Sequence, residues 1–444
     1  MRKLERRAGI CLLLATVLFL GIVVFCWRFV TNGGQWAGFY GNSQIYTNGQ
    51  LNRGTIYDRN GNLLINCTPD GIQYPDDSAM RKATVHVVGD PKGNVSTGAI
   101  NMWKAELIGY DILNGTYNSK AEGKTITLSV DAAANRTAYN ALGGREGTVG
   151  VFNYKTGEIM CMVKTPTFDP AGEEPEDPNS SVYFNTFLMG ALTPGSTFKL
   201  VTSAAAYDTL GNIDGFTFTC DGVNEFEGEK IRCVGTHGTV NFEQALAKSC
   251  NGAFGELSRE VGARTLADYV DAVGLTSSIN VDGIKTAKGS FDFPRDNDVL
   301  LSWAGIGQHQ DLVNPCAMMV YVGSIANEGQ AVQPTLLKSS NFLKTMTSKS
   351  LGQYLDAGTA NKLKEMMKNN VQTTYGEDNF SGLDIYAKSG TAEVGDASDS
   401  WFVGFIQDEN HPYAFVVWVK DGGTGYQTCG PIARSVLNTL IANN

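Results

Sequence analysis

Three short stretches of this chain carry hydroxyl, amine and amide side chains that could act chemically on a bound substrate. The first is Pro194-Gly195-Ser196-Thr197-Phe198-Lys199, followed by a helix-forming run from Leu200 to Tyr207. Pro-Gly suits the bend into a helix start. With Ser196 in the first turn, Lys199 lies three residues on, along the same face and within reach of the hydroxyl. A serine hydroxyl is a weak nucleophile until a neighbour accepts its proton. A lysine can do so where burial and the positive end of a helix lower its pKa. Taken alone, Ser-x-x-Lys is expected about once by chance in a chain of this size. The second stretch, Ser249-Cys250-Asn251, can present a hydroxyl and an amide from a loop into a cleft. The third, Lys388-Ser389-Gly390-Thr391, sits mid-strand, where a glycine signals that something approaches the backbone closely. A lysine and two hydroxyls beside that glycine suit an anion.

The elements around these stretches read as a mixed fold. Phe242 to Lys248 is a helix that delivers Ser249. Thr148–Asn153 and Glu158–Val163 alternate on either side of a Tyr154-Lys155-Thr156-Gly157 turn and form a hairpin. Asp384–Glu393, Ser400–Ile406 and Tyr413–Lys420 form an antiparallel meander, and a helix from Pro431 to Ala442 closes the chain. Helices between Ser196 and Asn370 separate the two strand groups, so the class is α+β: an antiparallel sheet assembled from both ends of a domain and flanked by helices from its middle. Upstream, Arg53 to Ile65 is another hairpin around Asn60-Gly61, Thr125–Val130 is a short strand, and Asp131 caps an Ala-rich helix through Leu142. Gly143-Gly144 ends that helix and marks a boundary. Pro166 to Ser181 is a polar loop holding Asp169, Glu173, Glu174, Glu176 and Asp177.

Size and charge narrow the function classes. The 444 residues exceed what a single core usually supports and fit a large domain with a smaller one. The net charge of −10, with basic residues concentrated at the N-terminus, argues against nucleic acid as a partner. Residues Ala8 to Trp27 carry no charge and would span about 30 Å as a helix, the thickness of a bilayer core. Arg2, Lys3, Arg6 and Arg7 precede the run, so the N-terminus is expected in the cytoplasm and the body outside. The apolar run is too long for a signal-peptide core and no A-x-A site follows it, so an uncleaved signal anchor is expected. Thr31 to Gly49 reads as a linker, with structure beginning near Leu51.

The order Ser-x-x-Lys, Ser-x-Asn, Lys-Ser-Gly-Thr resembles that of the penicillin-recognising serine acyltransferases. Arg53-Gly54-Thr55-Ile56-Tyr57-Asp58-Arg59 is similar to the start of the non-catalytic domain of class B penicillin-binding proteins, and Gly147–Met162, Gly238–Asn251, Gly305–Asn327 and Lys388–Phe405 resemble segments of their transpeptidase domain. The implied domains are a cytoplasmic tip and anchor over 1–30, a linker and short non-catalytic domain over 31–146, and a transpeptidase domain over 147–444. The resemblance implies that Ser196 attacks the D-Ala-D-Ala end of a peptidoglycan stem peptide with Lys199 as general base. Ser249 would relay the proton to the leaving amine, Lys388 would support that relay electrostatically, and Asn251 would hold the peptide. Ser389, Gly390 and Thr391 would bind the terminal carboxylate, with the N–H groups of Ser196 and Thr391 as oxyanion hole. It also implies lipid-linked precursor strands as substrate, β-lactams as inhibitors, the bacterial membrane as location, and a membrane glycan polymerase of the shape, elongation, division and sporulation class as partner. No cofactor is implied. A D,D-carboxypeptidase and a catalytically silent β-lactam sensor or scaffold are the alternatives.

Two departures from the family pattern stand out. The front region is shorter than in many class B members, and Gly307-Gln308-His309 has histidine where relatives commonly have glycine. The nine cysteines contain no CxxC pair, and His86, His237, His309 and His411 are scattered, so no metal site is expected. Cys220 and Cys233 flank a hydrophilic segment and could close a disulfide in an exported protein, while Cys250 reads as a small packed side chain.

Overall fold

The computed structural model describes residues 2–443 apart from 117–122, 174, 176, 178–179, 212, 227–228 and 339–348. Glu174 and Glu176 of the expected acidic loop lie outside the described residues, while Asp169 of that loop pairs with Arg81 at 2.7 Å.

The chain opens with helix α1 (Arg2–Ala37), whose apolar stretch is fully exposed. Among the described residues it is the one helix long and apolar enough to cross a membrane. It runs past the expected end of the anchor. Gly33 is buried, and with Gly34 it lets the helix seat closely against Tyr110 and Ala105, which replaces the expected linker with packed structure. Ile45 is also buried, and Tyr46–Thr47 pairs with Gln50–Leu51, so order begins before Leu51.

The expected front hairpin is present as β1 (Gly54–Tyr57) and β2 (Leu63–Thr68), extended by β3 (Gly71–Gln73). Helix α2 (Ser78–Val88) follows, and β4 (Thr125–Thr127) then joins β1 in parallel, giving the order β3-β2-β1-β4. Asp58 organises the hairpin turn by accepting from the N–H groups of Asn60 and Asn62 at 2.9 and 2.7 Å. Its second oxygen accepts from the N–H of Ala132 at 3.1 Å and so ties the front sheet to α3 (Ala132–Leu142), which Asp131 caps through the N–H of Ala134.

Strands β5 (Gly147–Asn153) and β6 (Ile159–Thr165) are the hairpin expected at the start of the larger domain. The chain then passes through α4 (Lys199–Thr209), the short strands β7 (Thr217–Cys220), β8 (Val223–Phe226), β9 (Glu229–Arg232) and β10 (Gly238–Asn241), and α5 (Phe242–Ala247) into α6 (Asn251–Val261). Helices α7 (Pro315–Ala326) and α8 (Ala357–Asn370) lead to the meander β11 (Ile385–Val394), β12 (Ala397–Ile406) and β13 (Tyr413–Val419), and α9 (Gly425–Asn443) ends the fold. The central sheet is antiparallel in the order β11-β12-β13-β5-β6, so strands from both ends of the domain meet at the β13–β5 pair, with Val417 opposite Val149.

The period-two pattern sorts the two faces. Phe402, Phe415, Val417 and Val149 point to one core, shared with α3 and α9 through Ala138, Leu142, Val436 and Leu440. Trp401, Val403, Val416 and Phe152 point to the other, which contains α7. Every residue of α7 is buried, as an all-round apolar helix requires. Strand β13 is buried on both faces and reads as an unbroken apolar run for that reason. Helix α9 starts six residues before the expected Pro431. Bonds from Tyr426 Oη to the Tyr375 carbonyl at 2.7 Å and from Thr428 Oγ1 to the Gly422 carbonyl at 2.7 Å hold those added residues, a tertiary effect that proline's preference for first turns hides.

Candidate active site

Ser196 sits half-buried in the 3₁₀ turn Gly195–Thr197, which runs directly into α4. The turn is pressed against edge strand β11. A Cβ on Gly390 would lie 2.8 Å from Thr197 Cγ2 and 3.0 Å from the Pro194 carbonyl. Gly195 is left-handed at φ +52°, and a Cβ there would lie 2.5 Å from the Thr391 carbonyl. These two glycines permit strand and turn to touch, and the close neighbour that the mid-strand glycine signalled is the turn that carries Ser196. The Trp401 indole donates to the Thr193 carbonyl at 2.9 Å, and the Gly195 N–H donates to the Gly307 carbonyl at 2.9 Å, fixing the turn from two further sides.

Lys199 is fully buried at the start of α4. Its amine donates to the Ser249 carbonyl at 2.7 Å, to Asn251 Oδ1 at 2.7 Å and to Ser249 Oγ at 3.2 Å. Those acceptors match the three donors of an ammonium group, and the Ser196 hydroxyl is not among them. Burial pulls the Lys199 pKa down to about 8, a shift that the nearby Cys250 and Cys233 oppose. Lys388 is equally buried on β11 and donates to Ser249 Oγ at 3.2 Å and to the Ser389 carbonyl at 2.7 Å. Burial, reinforced by the charge of Lys199, holds its pKa well below the ordinary lysine value. Two amines of lowered basicity therefore share one hydroxyl, an arrangement suited to passing a proton among them.

The second motif is held by its own flanks. Asn241 and Gln244 form a capping box that starts α5, and the chain leaves that helix with Ser249 in the left-handed region at φ +52°. Asn251 opens α6, and its Nδ2 donates to the Arg232 carbonyl at 2.7 Å, linking the motif to the end of β9. The structure thus brings Lys199, Ser249, Asn251 and Lys388 into one hydrogen-bonded group, beside the turn that carries Ser196 and the strand that carries Ser389, Gly390 and Thr391.

Sequence reasoning missed Tyr375. Its O–H donates to Ser389 Oγ at 2.9 Å and its oxygen accepts from the Ser389 N–H at 2.8 Å, while burial pushes the phenol up to about 12. Asn370 similarly holds β11 by donating to the Ala387 carbonyl at 3.0 Å. Neither lies in a periodic pattern that marks it as a site residue. His309 sits at φ +63° with its Nε2 3.1 Å from Asp292, on the loop behind the Ser196 turn.

The structure gathers a Cys/His group that the scattered sequence positions did not suggest. Cys220, Cys233, His237 and Cys250 each offer one ligand atom, all within 4.8 Å of one another. The spacing along the chain hides this because three separate segments supply the group, with Cys233 and His237 on one of them. The sulphurs of Cys220 and Cys233 are 3.6 Å apart and both thiols are free, so the expected disulfide is not formed.

Comparison with known proteins decides the family. Residues 147–441 match the penicillin binding protein transpeptidase domain. The chain belongs to this family. Its relatives include peptidoglycan D,D-transpeptidase PbpA of Mycolicibacterium smegmatis, 27% identical over 72% of this chain and 73% of the relative. Stage V sporulation protein D of Bacillus subtilis is 26% identical over 84% of this chain and 59% of its own length. Among solved structures, the D,D-transpeptidase domain of a peptidoglycan glycosyltransferase from Eggerthella lenta superposes with a TM-score of 0.74 at 26% identity, covering 88% of this chain and 98% of that one. Penicillin-binding protein A of Mycobacterium tuberculosis, solved as a ceftriaxone acyl-enzyme complex, shares the fold with a TM-score of 0.75 at 24% identity over 87% and 97% of the two chains. The class B resemblance of the sequence agrees with these neighbours, and the family's α+β architecture is the one described above.

Proposed function

We propose that this penicillin-binding protein is a serine D,D-transpeptidase that cross-links peptidoglycan stem peptides through an acyl-enzyme on Ser196. The observation that carries the reading is the shared hydrogen bonding of Lys199 and Lys388 at Ser249 Oγ, beside the turn that holds Ser196. The neutral form of the Lys199 amine, which burial makes accessible, turns its lone pair to Ser196 on substrate entry and takes its proton as the oxygen attacks the penultimate D-alanine carbonyl. The N–H groups of Ser196 and Thr391 stabilise the oxyanion, a contribution of about 2.7–4 kcal/mol per donor in comparable sites. Ser249 passes a proton to the departing D-alanine amine, fed by Lys199 and supported by Lys388. Ser389 and Thr391 grip the terminal carboxylate, and Asn251 orients the peptide. An amine from a second strand then resolves the ester. A β-lactam follows the same first step and remains as a stable ester.

The names of the relatives support the same chemistry, and α1 supports attachment to a membrane. The basic tip preceding the apolar span supports an N-terminus in the cytoplasm with the catalytic domain outside. The division into an anchor over 1–30, a front domain over 31–146 and a transpeptidase domain over 147–444 belongs to the same proposal, as does a membrane glycan polymerase as partner. The test is to supply the full-length chain and a polymerase with lipid-linked precursor and to analyse the digested glycan. Cross-linked peptide dimers that vanish with Ser196→Ala support the reading. Release of D-alanine without dimers shows a carboxypeptidase instead.

A further inference from the structure

We propose that Cys220, Cys233, His237 and Cys250 form a tetrahedral Cys₃His site for a zinc ion that clamps the Ser249-Cys250-Asn251 motif. Zinc takes thiolate ligands at about 2.3 Å and imidazole nitrogen at about 2.0–2.1 Å, so a tetrahedral Cys₃His centre needs sulphurs about 3.8 Å apart and a sulphur-to-nitrogen separation of about 3.5 Å. The Cys220 and Cys233 sulphurs are 3.6 Å apart, those of Cys233 and Cys250 are 3.9 Å apart, and the Cys220 sulphur lies 3.5 Å from His237 Nδ1. Three independent separations therefore agree with one centre. Soft thiolates with one imidazole select zinc over magnesium or calcium, which need oxygen.

The surroundings fit a structural metal. Cys220 ends β7, Cys233 and His237 lie in the short connection from β9 to β10, and Cys250 precedes α6, so a bound ion would staple three chain segments together. The Cys233 N–H already donates to the Gly222 carbonyl at 2.9 Å, and Asn224 Nδ2 lies 3.9 Å from both the Cys220 and the Cys233 sulphur, where it can donate to ligating thiolates. A disulfide between Cys220 and Cys233 would use only two members and leave Cys250 and His237 unexplained. Four protein ligands filling a tetrahedron also leave no open position for a substrate.

The link to catalysis runs through Cys250. Its neighbours on either side are the two residues that accept hydrogen bonds from the Lys199 amine. Asn251 is also bonded to the Arg232 carbonyl, one residue before the ligand Cys233. Metal binding would fix the left-handed Ser249 turn and the N-terminus of α6 relative to the β8–β9 hairpin. The zinc is a positioning device here, and the ligand geometry stands whether or not the transpeptidase reading holds.

The experiment is metal analysis of the full-length chain purified in detergent with a non-thiol reductant, followed by titration with zinc and with cobalt. The expected result is one tightly bound zinc per chain and, on cobalt exchange, the intense visible bands of a tetrahedral thiolate complex. His237→Ala and Cys220→Ser should each weaken zinc binding at least about tenfold, and Cys316→Ser, a buried cysteine outside the group, should not. Removing zinc should slow acylation by a fluorescent penicillin without releasing the fold of the central sheet. A chain that binds no zinc under these conditions, a cobalt spectrum without thiolate bands, or zinc retained by the His237→Ala, Cys220→Ser double variant would each overturn the proposal. Should the variants fail to fold, the cobalt spectrum of the unmodified chain decides it.

Discussion

The amine of Lys388 lies 3.2 Å from the hydroxyl oxygen of Ser249, although the two residues come from an edge strand and a loop far apart in the chain. Lys199 reaches the same oxygen at 3.2 Å. Ser249 is thus the junction of two buried amines, and the consequences of that junction can be measured.

If Ser196 is the nucleophile, Ser196→Ala should abolish labelling by a fluorescent penicillin. Lys199→Ala should slow labelling by about 10²–10⁴, the usual contribution of a general base. Rapid-quench labelling followed by peptide mapping checks both, and label on a residue other than Ser196 rejects the assignment.

The acylation rate should rise with pH. A general base must be unprotonated, and burial brings Lys199 down to about 8, so the neutral fraction grows as pH climbs toward and past that value. The rate constant for penicillin acylation should therefore increase between about pH 6 and pH 8, by up to about tenfold per unit where the group is mostly protonated. A flat profile over that interval would exclude Lys199 as the base.

Tyr375→Phe should loosen strand β11 at Ser389. The substitution removes the hydroxyl that bonds both Ser389 Oγ and the Ser389 N–H, leaving a part-buried donor without its partner at a cost of about 1 kcal/mol. We expect the second-order acylation rate to fall about tenfold, equivalent to about 1.4 kcal/mol, with thermal unfolding recorded alongside to separate local from global effects.

Gly390→Ala should separate strand from turn. The new methyl would lie 2.8 Å from Thr197 Cγ2 and 3.0 Å from the Pro194 carbonyl, so the two must move apart, at about 1–3 kcal/mol. Stability should drop, and acylation should drop more than stability accounts for, because Ser196 rides on the displaced turn. An exposed glycine with open space around it, such as Gly358, supplies the comparison.

Asp311→Asn should stabilise the protein at neutral pH. Both oxygens of this buried carboxyl lack a well-formed hydrogen bond, and burial raises its pKa well above the ordinary value. The folded state therefore holds the proton more tightly than the unfolded state, and the native aspartate loses stability as pH rises above the unfolded value of about 3.8. Thermal melts of the two proteins should converge near about pH 4 and separate toward about pH 7.

Much of the scaffold was legible because its signals are local. Alternation along 148–153 and 413–420 marks the strands, Asp131 marks a helix start, and Gly390 marks a close approach. The residue types and spacing of Ser196 and Lys199 also follow from one helical turn. Contacts between distant segments leave no such trace. Nothing periodic links Tyr375 to Ser389, and Pro431 conceals the first turns of α9 because tertiary bonds, not propensity, hold them.

The sequence by itself determined the three short motifs of hydroxyl, amine and amide side chains, the apolar span, the alternating strands and the mixed class, since each depends on neighbours within a few positions. Only the tertiary structure decided that the Lys199 amine points to Ser249 and Asn251, that Lys388 arrives at the same oxygen, and that three cysteines and a histidine share one corner. Those meetings require chain segments separated by long loops to be packed together, and a buried amine or thiol takes its partners from whatever the fold sets beside it.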